Sequence, residues 1–158
     1  MTEQMTQNTT KQMTQYKTTQ GVYFALGEHF FALPLPCVKE IAPLQAVRVL
    51  PQENTGAYLQ AEHIKEYFFY QDEILPLVDF YAMLKIEPNQ EQNNILICTL
   101  DTVKLGISID AQIDICDLGK EQALPKDDIF FTSPYIMGHI YDDFNRIVYI
   151  INKKALGV

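Results

Sequence analysis

The sequence predicts an all-β protein built as two small barrels, and three observations carry that expectation. Short apolar stretches are separated by turn signals at regular spacing, with little room for long helices. A strand, turn and strand pattern at Val22–Leu35, followed by Val38-Lys39-Glu40-Ile41, recurs at Ile95–Ile109, followed by Ile113-Asp114-Ile115. Aligning Leu26 on Leu100 puts Phe31 on Leu105, Leu33 on Ile107 and Leu35 on Ile109. A second pair echoes in the same order: Ile74–Asp79 matches Ile147–Asn152, and each precedes a helix-like stretch, Tyr81–Leu84 and Lys154–Leu156.

Each element has a local reason. Val22–Leu26 and Phe30–Leu35 flank Gly27-Glu28-His29, where glycine suits a positive φ, so a β-hairpin follows. Pro34 and Pro36 confine the second strand to an edge or end it early, and Cys37–Ile41 reads as one helical turn or a bend. Val47–Leu50 is a strand closed by Pro51. Gln52–Glu66 is polar and reads as a long loop with a short helix around Tyr58–Lys65. Four consecutive aromatics, Tyr67–Tyr70, turn at Gln71-Asp72 into Glu73–Phe80 as a second hairpin, which Tyr81–Leu84 caps. Ile86–Asn94, acidic, rich in Gln and Asn and carrying Pro88, is the internal boundary. The plan then repeats as the hairpin Ile95–Ile109, the strand Ile113–Leu118, the loop Gly119–Asp128 and the hairpin Tyr135–Ile151 turning at Asp142–Asn145. The first barrel therefore spans about 21–85 and the second about 95–150, with exchange of strands between them left open.

The 158 residues, 47% of them hydrophobic, suffice for a real core. Residues 1–20, rich in Thr and Gln and almost without large aliphatic side chains, cannot repay the entropy of ordering and read as a flexible tail. A formal net charge of −8 argues against nucleic acid as a partner, because neutralising phosphates requires clustered Lys and Arg. Cys37, Cys98 and Cys116 are an odd number at wide spacing, as expected of reduced, mostly buried cytosolic thiols. No apolar run reaches membrane-helix length and the N-terminus has no apolar signal core, so a cytoplasmic protein without direct membrane insertion is expected.

Candidates for chemistry are few. His63 and Glu66 stand three apart and could share a helical face, but no third metal ligand is within reach. Cys37 and His29 could be drawn as thiolate and base; a buried thiol and a turn histidine is the simpler account. Asp79 and Asp110 follow strands, where aspartate usually caps the next turn. The glycines form no phosphate-binding loop. No enzyme and no cofactor is expected, which moves attention to surfaces. Alternate members of Tyr67–Tyr70 must face opposite sides, so one pair can fill the core and the other can be exposed or covered by the preceding loop.

The residues resemble the CheW-like chemotaxis coupling proteins over nearly the whole chain, from Val22 to Leu156. The carriers are Phe24-Ala25-Leu26-Gly27 with Phe31-Ala32-Leu33-Pro34, Val38-Lys39-Glu40-Ile41, Val49-Leu50-Pro51 and Ile74–Phe80. Later come Leu105–Asp110 with Ile113 and Ile115, and Tyr135-Ile136-Met137-Gly138 leading to Ile147–Asn152. The resemblance implies two SH3-like five-stranded β-barrel subdomains related by a pseudo-twofold. It also implies a non-catalytic adaptor that couples the cytoplasmic tips of chemoreceptors to the regulatory domain of a CheA-type histidine kinase, in chemotaxis or twitching motility. By motif, the kinase-facing surface would include Leu44 and Val47, and the receptor-facing groove Val38, Glu40, Ile95 and Ile115.

Departures from the family fall in the first barrel. Members usually carry Asn-Leu-Arg-Gly before Ile-Leu-Pro; here the stretch is Phe69-Tyr70-Gln71-Asp72. Gln71 removes a bidentate cation that could pair with a carboxylate such as Glu40, and Asp72 replaces the turn glycine. The connection from Pro51 to Ile74 is also longer than usual by several residues. These changes bear on partner binding, and two other readings stand beside the adaptor: a divergent CheW-like scaffold in another assembly, and a ligand-binding or enzymatic β-barrel using a cleft near Asp79, Asp110 and His139.

Overall fold

Alternating apolar side chains bounded by turn residues set the strands, and a strand whose two faces both carry apolar residues needs a core on each side. The computed structural model describes residues 20–44, 49–51, 64–88, 94–100 and 102–156. The strands are β1 (Gln20–Leu26), β2 (His29–Pro34), β3 (Val38–Pro43), β4 (Val49–Pro51), β5 (Ile64–Tyr70) and β6 (Glu73–Val78), followed by the short helix α1 (Phe80–Leu84). Then come β7 (Asn94–Leu100), β8 (Val103–Ile109), β9 (Ala111–Asp117), β10 (Ile136–Tyr141) and β11 (Ile147–Ile151). Single 3-10 turns lie at Leu35–Cys37, Leu118–Lys120 and Lys153–Leu156.

The strands form two sheets, ordered β10-β11-β2-β1-β9 and β3-β7-β8-β6-β5-β4. Aligned as the sequence repeat demands, β1 corresponds to β7, β2 to β8, β3 to β9, β5 to β10 and β6 to β11, and the order in both sheets is then the same. Short β4, paired with β5, has its counterpart in the bridge between Gln122 and His139 of β10. Pairing crosses the connector in both directions. The β1–β2 hairpin lies between β9 and β11, and the β7–β8 hairpin between β3 and β6. The two parallel contacts, β2 with β11 and β6 with β8, are equivalent in the repeat.

Each sheet curls around its own core and shares a third with the other. Ala42, Phe68, Leu75, Leu77, Ile95 and Ile97 fill one curl, and Tyr23, Ala32, Ile140, Val148 and Ile150 the other. The alternate residues Phe24, Leu26, Phe31 and Leu33 meet Leu96, Cys98, Leu100, Leu105, Ile107 and Ile109 in the large core between the sheets. Gly106 belongs to this arrangement: a Cβ there would stand 2.6 Å from the Phe68 ring and 2.7 Å from Ile95, so only glycine lets both reach the inside of the curl.

Three local expectations are corrected. Cys37–Ile41, read as one helical turn or a bend, is strand from Val38 on, as part of β3, with the helical turn confined to Leu35–Cys37. Pro43 is tolerated because β3 is an edge. The helix expected around 58–65 lies mostly outside the described residues, but its end, Ile64 and Lys65, is already strand β5. Pro51 continues β4 instead of closing it, and it too sits at a sheet edge. The five strands per unit that the resemblance implied are present in both sheets, and the three-residue β4 is a sixth in the second.

Candidate functional site

The four aromatics of β5 divide by depth instead of by face. Tyr67 and Phe68 are both 0% exposed, Tyr67 in the shared core and Phe68 inside the curl. Phe69 and Tyr70, beside the turn, reach the surface: Phe69 is 38% exposed and stands opposite Ile74, 36% exposed. A cross-strand aromatic and aliphatic pair is thus presented to solvent. Beside it runs a groove of about 450 Å³, lined by Ile74, Leu75, Pro76, Thr102 and Val103, with the Glu73–Lys104 ion pair (3.1 Å) at its rim. Pairing between β6 and β8 is confined to Leu77 with Gly106 and Val78 with Ile107, so the two strands part where the groove opens.

Gln71 and Asp72 form the two-residue turn, both at positive φ (48° and 65°), and both are exposed. Glu40, exposed on β3, accepts a hydrogen bond from the Tyr70 hydroxyl. Burial and this carboxylate act together on Tyr70, the hydrogen bond to Glu40 first, and raise its pKa. Glu40 therefore draws its partner from Tyr70, next to the position where the family carries arginine. β3 and β5 are far apart in the sheet order, so this contact also shows how strongly the sheet curls.

Other expected site residues scatter. Leu44 is half-buried against the same core as Tyr70. Val47 lies outside the described residues. Val38 is half-buried at the start of β3. Ile95 is 0% exposed inside the curl, so its assignment to a receptor-facing groove is corrected: packing against Phe68 and Gly106 seals it from any surface partner. Ile115 is 47% exposed on β9, the edge of the other sheet. Tyr70 thus links Glu40 and Leu44 to the Gln71-Asp72 turn, while Ile115 belongs to the other sheet.

The candidates for chemistry have structural employment. His29 packs edge-on against Phe130 (5.3 Å between ring centres) and near Phe31 and Tyr149, while Cys37 is buried in the shared core. Burial, with Cys37 nearby, raises the Cys98 pKa, and burial with Asp117 pushes Cys116 up to about 11; both thiols stay protonated. Asp79 caps α1 by accepting from Ala82 N (3.2 Å). Asp110 does not cap its own turn: 7% exposed, it accepts from Gly27 N (2.8 Å) and the Tyr81 hydroxyl. His139 is 3% exposed on β10, edge-on to Tyr141 (5.4 Å). His63 lies outside the described residues and Glu66 is exposed on β5. Among the described residues no group of three or more His, Cys, Asp or Glu could hold a metal, and no helix is long and apolar enough to cross a membrane.

Two duplicated sheets that exchange hairpins and present surfaces suit an interaction module, and family comparison agrees. The CheW-like domain matches residues 20–157. The chain belongs to the CheW-like domain family. Among solved structures it is similar to the scaffolding protein TtCheW from Thermoanaerobacter tengcongensis, with 19% identity and a TM-score of 0.68 over 85% of this chain and 89% of that one. That likeness shows a CheW-like fold. No curated protein matches the sequence. Membership places the chain among chemotaxis scaffold and adaptor proteins. The exposed Phe69–Ile74 pair had a sequence signal after all: a two-residue turn at 71–72 dictates that 69 faces 74.

Proposed function

We propose that this CheW-like protein is a non-catalytic cytoplasmic adaptor that couples chemoreceptor tips to the regulatory domain of a CheA-type histidine kinase. The observation that carries the reading is the exposed Phe69–Ile74 pair beside the groove between β6 and β8, close to the core on which Leu44 packs. Aromatic and aliphatic anchors beside a hollow are what a protein partner uses. The kinase surface comprises Leu44 and this hairpin. The receptor surface comprises Val38, Glu40 and Ile115, with Ile95 left out because it is buried. The test is capture of the kinase regulatory domain, with and without receptor-tip peptides. Leu44→Ala and the double change Phe69→Ser with Ile74→Ser should weaken kinase capture and leave the receptor peptide bound. Undiminished kinase capture by both would show that the surface is misassigned, and failure of the wild type to bind either partner would sink the adaptor reading.

Gln71 favours a second reading, a scaffold with retuned partners. A neutral amide cannot form the bidentate pair of an arginine. Receptor-peptide and kinase-domain affinities both equal to those of an arginine-bearing relative would count against it.

A further inference from the structure

The turn between β1 and β2 is locked against the segment that follows α1. Gly27 has φ +62°, and a Cβ there would stand 2.6 Å from the Glu87 carbonyl oxygen, so backbone meets backbone. Asp110 holds the same turn through Gly27 N and holds α1 through Tyr81. Lys85 ends α1 at φ 56°, and Ile86 N donates to Tyr81 O (3.0 Å). The chain at 85–87 is thereby fixed.

Across from it stands Ile129, 67% exposed between Asp128 and the buried Phe130. Phe130 packs edge-on to Tyr149 (4.7 Å) and His29 (5.3 Å). Asp128 accepts from Phe130 N (2.8 Å) and from the Tyr149 hydroxyl (3.0 Å). A large aliphatic side chain is therefore held in solvent by anchors on both sides, and the ordering a partner would otherwise have to impose is already in place. Between these walls lies a hollow of about 340 Å³ lined by Glu28, His29, Lys85, Ile86, Glu87 and Ile129.

Its charge selects the occupant. Glu28 and Glu87 are exposed at the rim and neither joins an ion pair among the described residues; on the loop that carries Ile129, exposed Lys126 and Asp127 offset one another. His29 is turned into the aromatic cluster, and Lys85, the one lysine or arginine among the described lining residues, has a flexible stem that can carry its ammonium into solvent. We infer that this hollow docks a segment of a protein partner that presents an aliphatic side chain beside an arginine. The guanidinium lies between Glu28 and Glu87, and the apolar parts lie on Ile86 and Ile129. The site shares no residue with the kinase and receptor surfaces proposed above, so it stands or falls independently of them.

The probe is acetyl-leucyl-arginine amide, titrated into the isotopically labelled full chain while backbone amide resonances are followed. Saturable shifts are expected at Gly27, Glu28, Ile86, Glu87 and Ile129. Glu28→Gln with Glu87→Gln, both exposed and harmless to folding, should weaken binding by about fivefold, the scale of an exposed ion pair. The citrulline analogue, equal in shape but neutral, should weaken it as much, and Ile129→Ser should weaken it without altering its salt dependence. Shifts absent from this cluster, or undiminished with citrulline or in the double variant, would overturn the inference.

Discussion

The hydroxyl of Tyr81 donates to the carboxylate of Asp110, which also accepts from Gly27 N at 2.8 Å, so one buried acid ties α1, the β1–β2 turn and the end of β8 together. Burial, then the Asp110 carboxylate, raises the Tyr81 pKa well above its ordinary value of 10.0. The folded state thus favours the neutral phenol. Its stabilisation is complete below the unfolded value and is lost as pH rises towards the folded one. Denaturation from about pH 8 to about pH 11 should show a falling midpoint at the alkaline end. Tyr81→Phe should lower stability by about 1–3 kcal/mol near neutral pH, because it leaves Asp110 short of a donor. It should also flatten the alkaline slope without abolishing it, since burial and Asp128 raise Tyr149 in the same sense.

Asp72, at φ 65°, occupies a conformation that costs a residue with a Cβ more than it costs glycine. Asp72→Gly should raise the thermal midpoint, with a gain of about 0.5–1 kcal/mol at the turn. An unchanged or lower midpoint would mean that the Asp72 side chain has a compensating partner.

Gly106→Ala should act in the opposite direction. The added methyl meets Phe68 at 2.6 Å and Ile95 at 2.7 Å, both fully buried, and neither can step aside. A loss of about 1–3 kcal/mol in chemical denaturation is expected from overpacking.

Two equivalent seams of the repeat should respond unequally. Glu73 pairs with Lys104 at 3.1 Å, both side chains about half exposed, and Glu73→Gln should change stability by less than about 0.5 kcal/mol. At the matching place in the other sheet, Arg146 lies over the Phe30 ring at 4.4 Å, and Asp142, its side chain 2% exposed, holds it. Asp142 accepts from Phe144 N (2.9 Å), Arg146 N (2.8 Å) and Arg146 Nε (2.7 Å). Burial opposes charge on Asp142, but these donors outweigh it and hold its pKa below the usual range. Asp142→Ala should cost about 2 kcal/mol, measurable in the same denaturation series.

Much of this molecule was legible in adjacent residues. Period-two alternation in Phe24, Leu26, Phe31 and Leu33, and in Leu105, Ile107 and Ile109, marked the paired hairpins, and their echo marked the duplication. β3 was harder to see because Pro36 and Pro43 bracket it, although its echo in Ile113-Asp114-Ile115 pointed to a strand. Ile95 came to the receptor-facing groove by family motif, and no local pattern records that the curl of its own sheet covers it with Phe68.

By itself the sequence determined most of the strands, the hairpin turns and the two-fold repetition, since each rests on interactions between near neighbours: side-chain alternation, proline and glycine dihedrals, and the opposition of residues across a short turn. Only the tertiary structure decided which edge each hairpin joins, sending β1–β2 to β9 and β11 and β7–β8 to β3 and β6. It also buried Ile95, gave Glu40 to Tyr70 and left Phe69, Ile74 and Ile129 in solvent. Those outcomes depend on packing between residues distant in the chain, where a cavity such as the one left by Gly106 selects the side chains that fill it, and no local pattern records that choice.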